Sequence, residues 1–178
     1  ITLTRVASEE GYVTPESIVG AVTPQTSLVA RTHASNVLGT VQPIELIAAL
    51  LREKSPETLY LVDAAQSAGV VPINLRSTPI DLLAFPGHKA LYGPTGTGAL
   101  YVGPRTDGRI RPWREGGTGG DSSSETQPTI LPYYLEGGTP NVLGLAGLAE
   151  GVKWVTEQGP DKLRAHEVAL LDQVVAWA

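Results

Sequence analysis

Lys89 stands among glycines at the end of an apolar run. In "DLLAFPGHKALYGPTGTGALYV" (Asp81–Val102), the run from Leu82 to Phe85 stops at a turn, and His88 and Lys89 follow. Gly93, Gly96 and Gly98 then lead into a second apolar run. A lysine just past the carboxyl end of a buried strand sits where open α/β sheets bind ligands. Asn36 follows the apolar stretch "TSLVARTH", Asp63 ends the strand within "TLYLVDAAQ", and Gln66 comes one turn later. A lysine amine can condense with an aldehyde, a carboxylate can keep a ring nitrogen protonated, and side-chain amides can hold a phenolic oxygen. Singly, each residue has an ordinary structural reading: Asp63 as a helix cap, Asn36 as a turn former, Lys89 as a solvated side chain. Their recurrence at successive strand ends favours one shared crevice.

The glycines do not make a standard phosphate loop. A P-loop requires G-x-x-x-x-G-K-[ST], whereas Gly87 and Lys89 are separated only by His88, and Ala90 follows the lysine. A dinucleotide fingerprint requires G-x-G-x-x-G. Gly96 and Gly98 fit it, but Tyr101 occupies the third glycine position. A glycine-rich turn between two strands describes the segment better.

The elements that must position these residues are legible as short apolar runs. Strands are expected at Thr26–His33, within Thr58–Gln66 as far as Asp63, and at Ile80–Phe85 and Gly98–Val102. Between the first two, Pro43–Lys54 places Ile44, Ile47, Leu50 and Leu51 on one helical face, with proline suited to the first turn. Apolar strands without strict alternation, separated by a helix, predict an α/β fold: a mainly parallel sheet with helices on both faces. Residues 103–140 are rich in Gly, Pro, Ser and Thr and read as a long functional loop. Helices are expected from Asn141 and again after Pro160, the latter with Leu163, Leu170, Val174 and Trp177 on one stripe. No internal repeat is visible.

The 178 residues suffice for one domain with a sizeable core. A net charge of −5 with 17% charged residues argues against a general nucleic-acid binder. No apolar run approaches the ~20 residues that span a bilayer, and no signal peptide opens the chain. The chain has no cysteine, which excludes disulfides, thiolate metal sites and a thiol nucleophile within it. A cytoplasmic protein, with no membrane or nucleic-acid partner, is the expectation. The lack of any methionine and a last helix running to Ala178 suggest part of something longer.

"THASNVLGT", "LVDAAQSAGVVPI", "LLAFPGHKALYGPTGTGALY" and "EGGTPN" together resemble the class V aminotransferases, in the cysteine desulfurase and selenocysteine lyase branch. The order and spacing of the motifs match from Thr32 to about Trp154. The resemblance implies a pyridoxal 5'-phosphate enzyme of fold type I. Residues 1–152 would be part of its cofactor-binding large domain, and 153–178 a helical segment leading toward a C-terminal small domain. It implies that Lys89 is the Schiff-base lysine and shuttles the substrate's α-proton. His88 would help hold the phosphate, Asp63 would pair with the pyridine nitrogen, and Asn36 and Gln66 would contact the ring-oxygen side. Thr139, with the peptide N–H groups of Gly138 and Thr139 facing an anion, would reach the phosphate in a partner subunit, implying a homodimer with shared sites. His33 is expected to be structural.

The departures from the family pattern are specific. A serine hydroxyl commonly lies three residues before the lysine; here that position is Pro86, which offers no donor. The family's upstream phosphate turn, its ring-stacking group and its small domain, with a substrate arginine and a reactive cysteine, have no counterpart in these residues. The chain alone is therefore expected to hold the cofactor weakly and to be inactive. The implied reaction releases sulfur or selenium from cysteine or selenocysteine, with a sulfur acceptor protein as a possible further partner. The alternatives are a class V transamination of a small amino acid and a non-catalytic dimerisation or binding module.

Overall fold

A computed structural model describes residues 1–117 and 123–178. Its centre is a sheet of four strands in sequential order: β1 (Leu28–Thr32), β2 (Leu59–Asp63), β3 (Leu82–Pro86) and β4 (Gly98–Val102). β1, β2 and β3 run parallel, and β4 returns antiparallel along β3. The expected mainly parallel α/β sheet is therefore present. In register, Thr32, Asp63, Ala84 and Leu100 lie side by side across the sheet. The carboxyl ends of the parallel strands thus finish at one rim, which also carries the start of β4.

Two helices build the core on one face. α1 (Pro15–Ala21) starts at Thr14, whose side chain accepts the N–H of Ser17, with proline at the first helical position. α2 (Ile44–Lys54) buries Ile44, Ile47, Ala48 and Leu51, at helical spacing, against Tyr60, Val62 and Leu83 of the sheet. Glu45 in its first turn and Arg52 and Lys54 in its last suit the helix dipole. The opposite face carries Ala30, Thr32, Asp63 and Leu100, all exposed.

α3 (Val142–Gln158) is capped by Asn141, which accepts the N–H of Gly144 at 3.0 Å. It packs on the segment between β3 and β4 rather than on the strands. Gly151 lies so close to the Leu91 and Tyr92 carbonyls that a methyl group there would collide with backbone. Tyr92 stacks edge-on against Trp154, with ring centres 4.9 Å apart. α4 (Pro160–Trp177) follows after Gly159, at φ +85°, and buries none of its residues. Among the described residues of 103–140, the only helix is a short 3-10 turn, Pro104–Thr106.

The other end of the sheet is fixed by charge. Asp81, just before β3, is 2% exposed, accepts from Arg52 and from the Tyr60 N–H at 2.7 Å, and forms an ion pair with Arg105 Nε at 3.2 Å. Arg52 also donates to the Thr58 carbonyl at 2.6 Å. Burial pulls the Arg52 pKa down, and the charge of Asp81 opposes that pull. Asp81→Ala strands a peptide N–H and two arginines and is expected to cost about 3 kcal/mol. The check is a fall in the urea midpoint at unchanged m-value; Asp81→Asn, which still accepts from Tyr60, should lose less.

Candidate functional site

Each parallel strand delivers polar groups to the rim by a different local device. β1 runs into His33 and then a tight turn, in which Ser35 N–H bonds the Thr40 carbonyl and Gly39 N–H bonds the Ser35 carbonyl. The Ser35 hydroxyl accepts the N–H groups of Val37 and Leu38, so Asn36 is held exposed by its neighbours rather than by its own amide. β2 ends at Asp63, whose Oδ1 takes the Ala65 N–H at 2.9 Å. That bond shapes the turn carrying Gln66, which is half-buried. Asp63 thus shapes a turn rather than capping a helix, and it uses only one carboxylate oxygen to do so.

β3 ends at Pro86, paired with Gly98. The next turn is closed by Gly87 N–H to the Thr97 carbonyl at 2.8 Å, Gly93 N–H to the Gly87 carbonyl at 2.8 Å and Tyr92 N–H to the Lys89 carbonyl at 2.9 Å. His88 and Lys89 project from it, exposed. Tyr92 sits at φ +55°, a costly backbone for a tyrosine, held by its Trp154 contact and by α3 behind it.

Asn36, Asp63, Gln66, His88 and Lys89 therefore lie in turns at the carboxyl ends of three adjacent parallel strands. Among the described residues, neither Lys89 Nζ nor Asp63 Oδ2 has a hydrogen-bond or ion-pair partner. An amine, a carboxylate oxygen, two amides and an imidazole are the donor set that a phosphorylated pyridine aldehyde requires, so the residues fit pyridoxal phosphate.

Thr139 does not join this group within the chain. It lines a separate cavity of about 340 Å³ with Gly96, Gly98, Trp113, Arg114 and Glu136, to which Lys89 does not contribute. The cavity abuts the start of β4, at the same rim. One expectation fails here: the Gly138 N–H is taken by the Gly117 carbonyl at 2.5 Å, so it does not face an anion. The loop hydrogen bond spends it. Among the described residues, the Thr139 hydroxyl has no hydrogen-bond partner, and Thr139 lines the cavity.

Two features were not read from the sequence as parts of a site. Trp113 and Arg114 share the Thr139 cavity, and their place in "RPWREGG" between two glycine-rich stretches was the available signal. His33 is 2% exposed, and its Nδ1 lies 2.9 Å from the hydroxyl of fully buried Ser67. Burial lowers the His33 pKa, with Glu45 pulling the other way, so the ring is neutral.

Comparison with known proteins gives one consistent picture. Residues 2–176 match the family model "Aminotransferase class-V". The chain is 37% identical to a probable cysteine desulfurase of Methanothermobacter thermautotrophicus over 172 residues, covering 96% of this chain and 42% of that protein. It is also 37% identical to a cysteine desulfurase of Salmonella typhimurium, covering 91% of this chain and 40% of that protein. The solved apo structure of a cysteine desulfurase from Thermococcus onnurineus superposes with a TM-score of 0.82 at 31% identity, over 96% of this chain and 42% of that one. A NifS-like protein superposes with a TM-score of 0.79 at 30% identity, over 94% of this chain and 41% of that one. The chain thus spans about two fifths of the length of the relatives it matches.

Proposed function

The chain belongs to the class V aminotransferase family, and from that footing we propose that it carries the cofactor site of a pyridoxal-phosphate-dependent cysteine desulfurase. Its sheet with flanking helices has the large-domain architecture of fold type I. The observation that carries the proposal is the convergence of Lys89, Asp63, Asn36, Gln66 and His88 at three neighbouring strand ends in a chain whose relatives are cysteine desulfurases.

When bound, the cofactor supplies an aldehyde and a protonated ring that draws electrons from the substrate's α-carbon. Lys89 Nζ would hold the cofactor through that aldehyde and, once the substrate's amine had displaced it, would serve as the free amine that carries the α-proton of cysteine between carbons. Asp63 Oδ2 holds the proton on the ring nitrogen, while its Oδ1 keeps the Ala65 N–H and thereby its own orientation. The amides of Asn36 and Gln66 orient the ring from its oxygen side, and His88 donates to the phosphate. Pro86 has no N–H or hydroxyl to add there, so other donors carry more of that load.

Thr139 is the donor we assign to that task, acting on the phosphate of a second subunit in a symmetric dimer. Its place in a cavity apart from its own Lys89 supports this reading. Thr139→Ala is expected to weaken cofactor binding by about 1–3 kcal/mol, the usual loss for a hydrogen bond to a charged group. Spectroscopic titration of the purified variant, beside its sedimentation profile, measures this. A monomer whose affinity is unaffected would contradict the assignment.

The reaction itself is tested on the full-length protein with cysteine and an added thiol as reductant. One alanine per sulfide is expected, because the Cβ–S bond breaks, the sulfur passes to an accepting thiol as a persulfide, the carbon is reprotonated, and two added thiols reduce the persulfide to sulfide while forming a disulfide. Transamination would instead give a 2-oxo acid without sulfide, and that product would replace the desulfurase reading. Selenocysteine presents the same Cβ–heteroatom bond and is expected to yield alanine and selenide.

A further inference from the structure

Two turns that must cooperate, those carrying Asn36 and Gln66, come from different strands and part company at the rim. The last rung of the ladder between them is His33 N–H to the Asp63 carbonyl at 2.8 Å. Beyond it, one side-chain link spans the gap: His33 Nδ1 to the Ser67 hydroxyl at 2.9 Å, across 34 residues of sequence, with exposures of 2% and 0%.

Both partners are tied into their own turns by backbone. The His33 carbonyl accepts the Gln42 N–H at 2.8 Å, closing the loop that carries Asn36. Ser67 donates its N–H to the Ala64 carbonyl at 3.0 Å, and its own carbonyl accepts from Val70 and Val71. The Ser67 side of the link is thus continuous with the turn presenting Asp63 and Gln66. Because the pair is buried, water cannot replace a lost partner, and deleting either group leaves the other unsatisfied.

We propose that His33 and Ser67 form a clamp that sets the position of the Asn36 loop relative to the Asp63–Gln66 turn, and so preorganises the cofactor crevice. Both are positioning residues, and neither touches the cofactor. The inference rests on the proposed cofactor site for its purpose but not for its geometry. It also separates the two histidines next to the site: His88 is exposed and faces ligand, whereas His33 works through its neighbours. The His33 ring can serve because it is neutral, leaving Nδ1 free to act as donor or acceptor toward a hydroxyl.

The test uses the holoenzyme and the variants Ser67→Ala, His33→Gln, His33→Asn and the double variant His33→Gln/Ser67→Ala. An asparagine amide occupies the place of Nδ1, whereas a glutamine amide lies farther out. We expect Ser67→Ala and His33→Gln each to raise the cofactor dissociation constant about tenfold, the double variant to do no worse than either, and His33→Asn to recover most of the affinity. Amide exchange at Ser35, Gly39, Ala68 and Val71 should quicken in the impaired variants, while exchange within α3 stays as it was. Leu51→Ala, a core truncation away from the rim, is the control for lost stability alone. Additive effects in the double variant, unchanged exchange at those amides, or an affinity loss matched by Leu51→Ala would overturn the clamp. If the unsubstituted full-length protein fails to bind pyridoxal phosphate, the proposed function falls, and the exchange measurements still decide the clamp.

Discussion

In the full-length protein, Lys89→Ala is expected to abolish turnover of cysteine, by about 10³-fold or more, while leaving the fold intact. The loss should be chemical because the Lys89 turn is closed by main chain: Tyr92 N–H to the Lys89 carbonyl and Gly93 N–H to the Gly87 carbonyl. The side chain is exposed, so removing it opens no cavity. An unchanged urea midpoint beside a lost kcat is the predicted pair of results. Lys89→Arg should fail equally, since a guanidinium neither condenses with an aldehyde nor gives up its proton. A small primary amine added to the alanine variant should restore part of the rate by standing in for Nζ. A variant that keeps more than a tenth of the native rate would remove Lys89 from the chemistry.

Asp63→Asn should retain cofactor capture by Lys89 and lose about two orders of magnitude in kcat, the scale on which preorganised electrostatic groups act. The substitution is unusually clean. The amide oxygen of asparagine can still accept the Ala65 N–H, so the turn that positions Gln66 keeps its shape. What disappears is the negative charge that keeps a proton on the ring nitrogen. A large fall in kcat with little change in KM is therefore expected. Near-normal kcat would show that Asp63 is a turn former and nothing more. Glutamate is a poorer probe at this position, because it keeps the charge but moves it and breaks the turn.

The strands were legible as buried runs such as "LYLVD" and "DLLAF", which carry no alternation, whereas their order in the sheet came from the structure. Helix α2 was read from the spacing of Ile44, Ile47 and Leu51, which the structure buries. The end of β2 at Asp63 was read correctly, but its start was overrun by one residue, where Thr58 belongs to a connection made by a side-chain hydrogen bond. Local composition does not encode such bonds. The antiparallel course of β4 was likewise not read from sequence, since a short apolar run has no direction until its partner is known.

At the site, four groups, Asn36, Asp63, Gln66 and Lys89, were read from their places at strand ends, a rule about topology that needs no side-chain geometry; His88 came from the family resemblance. Their relation to one another was not legible. His33 looks structural in "THASN", and its bond to Ser67 crosses from one motif to another. The glycines of α3 carry a similar hidden instruction. Gly151 reads as a weak spot in a helix but faces the backbone behind Lys89, where no side chain fits. The Gly138 N–H could be counted as an anion donor only until the Gly117 carbonyl was seen to occupy it.

The central claim, that Lys89 is the residue that holds pyridoxal phosphate, is tested most directly by borohydride reduction of the cofactor-loaded protein followed by peptide mapping. Reduction fixes the cofactor irreversibly to whichever amine had bonded it. The predicted result is a single modified peptide, with the pyridoxyl group on Lys89 and none in the Lys89→Ala variant. A group found instead on Lys54, Lys153 or Lys162, or labelling that survives the loss of Lys89, would contradict the assignment.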